Sequence, residues 1–81
     1  MKFEEITDMA EQAMSKAMMQ LMRSKEQAYI TCVLLNLPRT FTNEIETAGV
    51  NGIQMRINPE FFLELPESER RFLLVHEAWH I

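Results

Sequence analysis

The sequence predicts an α+β fold: a long N-terminal helix or helix pair, a β-hairpin, and a C-terminal helix that carries a His-Glu-x-x-His motif. Three observations lead to it. Apolar residues recur in steps of three and four over the first 21 positions, the spacing of one helical face. Ile53-Gln54-Met55-Arg56-Ile57 alternates strictly between apolar and polar, the period of a half-buried strand. From Pro66 onward the chain again reads as helix, with proline suited to a first helical position and Glu67 and Glu69 suited to its positive end.

Taken in order, the first face comprises Phe3, Ile6, Ala10, Ala13, Met14, Ala17, Met18 and Leu21, with Glu4, Glu5, Asp8, Glu11, Gln12, Ser15, Lys16 and Gln20 mostly opposite. No Gly or Pro occurs before Pro38, so the helix is expected to run from Phe3 to Leu35 or to break near Arg23-Ser24, with Ser24 capping a second helix. Tyr29 to Leu35 is apolar almost all round and is expected to be deeply buried. Pro38 ends this helical segment, 1–37, and the remainder, 38–81, completes one small domain. Phe41 to Ile45 alternates loosely, Ala48 to Gly52 carries turn chemistry including Asn51-Gly52, and Ile53 to Ile57 returns as the second strand of a hairpin. Pro59 to Leu65 is a short turn or helix. The expected core is Val33, Leu34, Leu37, Ile53, Met55, Ile57, Phe61, Phe72 and Leu73.

Composition narrows the classes of function. At 81 residues the chain buries only about 60% of its unfolded surface, so its stability is marginal. With 8 basic against 12 acidic side chains the net charge is −4, which argues against nucleic acid as the main partner, because phosphate binding requires a basic surface. Cys32 is alone, so no internal disulfide forms and a reducing compartment fits. Neither a secretory leader nor a membrane-spanning apolar run is visible.

The chemistry lies in Leu73-Leu74-Val75-His76-Glu77-Ala78-Trp79-His80-Ile81. Two histidines four residues apart project side by side from a helix, so both imidazoles can reach one metal ion in a geometry that zinc accepts. Glu77 points off that axis yet stays close enough to take a proton from water at the metal. Leu74, Val75, Ala78, Trp79 and Ile81 are uncharged, as suits a metal-bearing helix in a core. The competing reading makes His76 and His80 surface residues and leaves Glu77 solvated. Other candidates are weaker. Cys32, in an apolar helix, reads as a small core residue rather than a thiolate. Glu69 lies two turns, about 10.5 Å, before His76, too far to share an ion. The six methionines of the first 22 residues read as core or as a dimer seam.

The order of a helical segment, N-G-I-Q-M-R-I-N-P-E-F-F, L-P-E-S-E-R and R-F-L-L-V-H-E-A-W-H resembles the N-terminal part of metallopeptidases that carry a von Willebrand factor A-like domain, found in bacteria and their phages. The resemblance covers roughly Lys25 to Ile81, through Asn51-Gly52, Asn58-Pro59 and the motif. It implies that His76 and His80 are zinc ligands and that Glu77 is the general base and acid. The third ligand of that family, an acidic residue, comes from a helix well downstream, and the A-like domain lies further on. This chain contains neither.

A catalytic zinc site keeps three protein ligands and a water. The 81-residue chain is therefore expected to bind zinc weakly and to be inactive by itself. Two functions follow: the N-terminal piece of a zinc-dependent hydrolase, or a non-catalytic bacterial or phage protein that uses the scaffold to bind a host protein. A cytoplasmic location fits both. A 30-residue helix would reach about 45 Å, beyond a domain of this size, so its Met-rich stripe is expected to meet a second copy or a protein partner.

Overall fold

Phe3–Met22 forms α1, and five of its residues, Ala10, Met14, Ala17, Met18 and Leu21, are buried along one side. The computed structural model describes residues 2–51 and 54–79. After α1 come α2 (Ala28–Leu35), β1 (Arg39–Phe41), β2 (Ala48–Val50), β3 (Met55–Ile57), α3 (Pro59–Glu64) and α4 (Glu67–Ala78). The architecture is α+β: a long N-terminal helix, a small sheet and C-terminal helices.

Of the two alternatives for the N-terminal segment, the structure has the helix pair, with the break at Arg23-Ser24. The chain leaves α1 through a tight turn in which the Arg23 and Ser24 amides donate to the Gln20 and Leu21 carbonyls. Gln27, not Ser24, stands at the N-cap of α2. The expected 30-residue rod is therefore a 20-residue helix of about 30 Å. Its buried stripe packs into a core shared with Leu34, Leu37, Met55, Ile57, Phe62 and Leu74, so residues from both halves of the chain close one interior. Met9, Met19 and Met22 are the methionines that α1 leaves exposed.

Helix α2 corrects a second expectation. Only Thr31 and Leu34 are buried, whereas Tyr29, Cys32 and Leu35 are exposed. A helix that is apolar all round can turn only one side to a single core, and the rest faces outward. Its C-terminus is well satisfied: Asn36 Nδ2 donates to the Cys32 carbonyl at 2.9 Å, and the Arg39 guanidinium donates to the Leu34 carbonyl. These are among the last-turn carbonyls that a helix leaves without internal partners.

Among the described residues the sheet has three strands in the order β1-β3-β2. β2 pairs antiparallel with β3, so the hairpin is present, but its first strand is Ala48–Val50, within the stretch expected to turn. The expected strand Phe41 to Ile45 is instead the end of β1 followed by a loop, and β1 pairs parallel with β3 through Arg39↔Met55 and Phe41↔Ile57. Turn residue Gly52 and core candidate Ile53 lie outside the described residues. The register puts Phe41, Ala48, Val50, Met55 and Ile57 on one face, and all five belong to the core or pack against it. Arg56 turns to the other face and pairs with Glu44 at 2.8 Å.

Asn58 joins the sheet to the helices that follow. Its Oδ1 accepts from the Phe61 amide at 3.1 Å as the N-cap of α3, while its Nδ2 donates to the Ile45 carbonyl at 2.8 Å. Pro59 then occupies the first position of α3, where a missing amide hydrogen costs nothing. Pro66 is the N-cap of α4 rather than its first residue, so the helix starts one residue later than expected. No helix among the described residues is long and apolar enough to cross a membrane.

Candidate functional site

Helix α4 is held from two sides, and this sets the direction of the described motif residues His76 and Glu77. Toward α1, Lys16 Nζ meets Glu67 Oε1 at 2.7 Å, and Arg71 Nη1 donates to Gln20 Oε1 at 2.6 Å. The pairing with Lys16 holds the Glu67 carboxyl below its ordinary range. Toward α3, Arg70 donates from Nε to the Phe62 carbonyl at 3.1 Å and from Nη2 to the Leu63 carbonyl at 2.8 Å. Its guanidinium also lies over the Phe62 ring, 5.7 Å from the centroid.

With the helix so clamped, Leu74 is fully buried and Glu77 is only 8% exposed. Among the described residues Glu77 is the only charged side chain that is buried. His76, one residue earlier, is about 100° away around the helix and is exposed. Its ring stacks on Phe72, with centroids 6.0 Å apart and planes 19° apart. Val75 and Ala78 pack partly against the core, but Trp79 is exposed rather than part of a buried helix. Phe72, expected in the core, is 70% exposed and Leu73 is half-buried, because the rotation of α4 points Leu74 and Glu77 inward instead.

The helix ends at Ala78, with the Trp79 amide donating to the Val75 carbonyl at 3.1 Å. His80 lies outside the described residues, so the expected pair of ligands is represented here by His76 alone. Among the described residues no three His, Cys, Asp or Glu side chains come together as a metal-binding group. Cys32 and Glu69 are exposed, and Glu69 shares an open concavity with His76.

Of the motif's His and Glu residues, the described part contains His76 and Glu77. His76 places its imidazole on the exposed side of α4, and Glu77 is turned inward. Two contributors escaped the sequence reading. Arg70 is not singled out in the sequence, and Phe72 is expected in the core. The four-residue spacing of Phe72 and His76 is a signal for contact on a helix that could have identified the second.

No curated protein and no solved structure matches the chain. A family model described as "putative metallopeptidase domain" matches residues 9–81, nearly the whole chain, and the chain belongs to that family.

Proposed function

We propose that this chain is the motif-bearing part of a zinc-dependent peptidase of the kind that carries a von Willebrand factor A-like domain. His76 and His80 serve as zinc ligands and Glu77 as the proton-transferring carboxylate. The observation that carries the reading is the burial of Glu77. Among the described residues the one buried charged residue falls on the Glu of His-Glu-x-x-His. A surface-histidine helix would leave that residue solvated. Membership of the metallopeptidase-domain family supports the same direction.

When bound, zinc supplies Lewis acidity, lowering the pKa of water and polarising a carbonyl. The chain's own residues have separate tasks. His76 donates a ring nitrogen from a face open to solvent, and Phe72 holds that ring against the helix. Glu77, shielded from bulk water, receives a proton from attacking water and returns it to the leaving amine. No three donors come together among the described residues, so in this reading the third protein ligand comes from outside them.

The test is a zinc titration of the chain, its His76→Ala and His80→Ala variants and Glu77→Gln. Each histidine variant is expected to lose at least about tenfold in zinc affinity, since ligand loss should cost no less than the loss of a supporting contact. Glu77→Gln should retain zinc, and should abolish cleavage of a casein substrate once a third ligand is supplied. Equal zinc uptake by the wild type and His76→Ala would return both histidines to the surface-residue reading.

A further inference from the structure

The face of α4 that carries His76 also forms one wall of a concavity of about 390 Å³, closed on the other side by α3 and the turn after it. Phe61, Leu65, Phe72 and Leu73 line it together with His76, and among the described residues Glu69 is its one acidic group. The volume is near the lower end of the roughly 300–1,000 Å³ found for ligand sites. Its shape is preformed, because Arg70 bonds the end of α3 to α4 through the Phe62 and Leu63 carbonyls directly beside it. The Phe72–His76 stack keeps the opposite wall upright.

We propose that this concavity is a substrate subsite that receives a large apolar side chain, leucine or aromatic, from a residue next to the scissile bond. The inference rests on the zinc-peptidase reading, which puts the reacting carbonyl beside His76. Four apolar walls favour a side chain without polar groups, since an unpaired polar atom there would lose its hydration. Glu69 decides the neighbour: its carboxylate attracts a basic residue flanking the apolar one and repels an acidic one. The apolar exposure of Phe72, at 70%, is thereby covered only when a peptide is present.

The experiment is a ¹H–¹⁵N NMR titration of the metal-free chain with three capped dipeptides: acetyl-Leu-Lys-amide, acetyl-Gly-Lys-amide and acetyl-Leu-Glu-amide. Acetyl-Leu-Lys-amide is expected to move the resonances of Phe61, Leu65, Leu73 and His76. Acetyl-Gly-Lys-amide should leave them in place, and acetyl-Leu-Glu-amide should bind about threefold or more weakly. Phe72→Ala should abolish the Leu-Lys shifts, and Glu69→Gln should remove the preference for lysine over glutamate. Equal shifts from the glycine peptide, or none from the leucine peptide, would overturn the subsite. So would movement of the same resonances with protein concentration alone, which would make this face a contact between two copies. Zinc uptake measured on the same sample separates the two ideas: zinc bound without leucine selectivity defeats the subsite only, and leucine selectivity without zinc binding defeats the peptidase reading.

Discussion

Arg70 stands over the Phe62 ring, 5.7 Å from its centroid, while its Nε donates to the carbonyl of the same residue at 3.1 Å. One side chain thus covers the largest fully buried side chain among the described residues and ties down the last turn of α3, adding a second donor to the Phe62 carbonyl, which also accepts from the Leu65 amide. Arg70→Ala should destabilise the fold by about 2–3 kcal/mol, combining charge-assisted hydrogen bonds with a cation–π contact. Arg70→Lys should recover less than half, because one ammonium cannot reproduce the guanidinium fork. Urea denaturation would measure both. A lysine variant as stable as the wild type would show that charge alone matters at this junction.

Ala17 on α1 is 3% exposed and lies in the core with Met14, Met18 and Leu21. Ala17→Leu should overpack that interior and cost about 1–3 kcal/mol. Gln12→Leu, on the exposed side of the same helix, should stay within about 0.5 kcal/mol of the wild type. Equal midpoints for the two variants in thermal unfolding would mean that the buried stripe of α1 yields more freely than its packing implies.

The Lys16–Glu67 pair fastens α1 to the first turn of α4, and Lys16 lowers the Glu67 pKa on folding. A carboxyl whose folded pKa is depressed supports the native state above its unfolded pKa. That support is lost as pH falls through the folded value. The stability of the wild type should therefore decline through the acid range more than that of Lys16→Met. Both partners are solvent-exposed, so added salt should narrow the difference at neutral pH. A pH profile identical in the two proteins would show that the pair contributes nothing to folding.

The sequence by itself determined the features that depend on neighbours along the chain. The three-and-four spacing from Ala10 to Leu21 marks the buried side of α1, as observed. The Met55-Arg56-Ile57 alternation marks β3, with both apolar residues inward. Asn58-Pro59 starts α3 for reasons of capping and proline geometry that need no tertiary contact. The His-Glu-x-x-His motif likewise stands in the sequence, and it anticipated the metallopeptidase-domain family.

Only the tertiary structure decided the rest. β1 exists because Arg39 to Phe41 pairs with residues 16 positions later, a contact that no local period encodes. The sequence allowed either a continuous helix or a break near Arg23-Ser24, and with no Gly or Pro there only the fold chose the break. It bends the chain where a straight helix would have carried α2 away from the core. The rotation of α4 was decided in the same way. Leu73, Leu74, Phe72 and Glu77 offer more than one possible inward face, and the clamps from Arg70, Arg71 and Glu67 select one. That selection buries Glu77 and exposes Phe72 beside His76, an arrangement that side-chain polarity alone would have reversed.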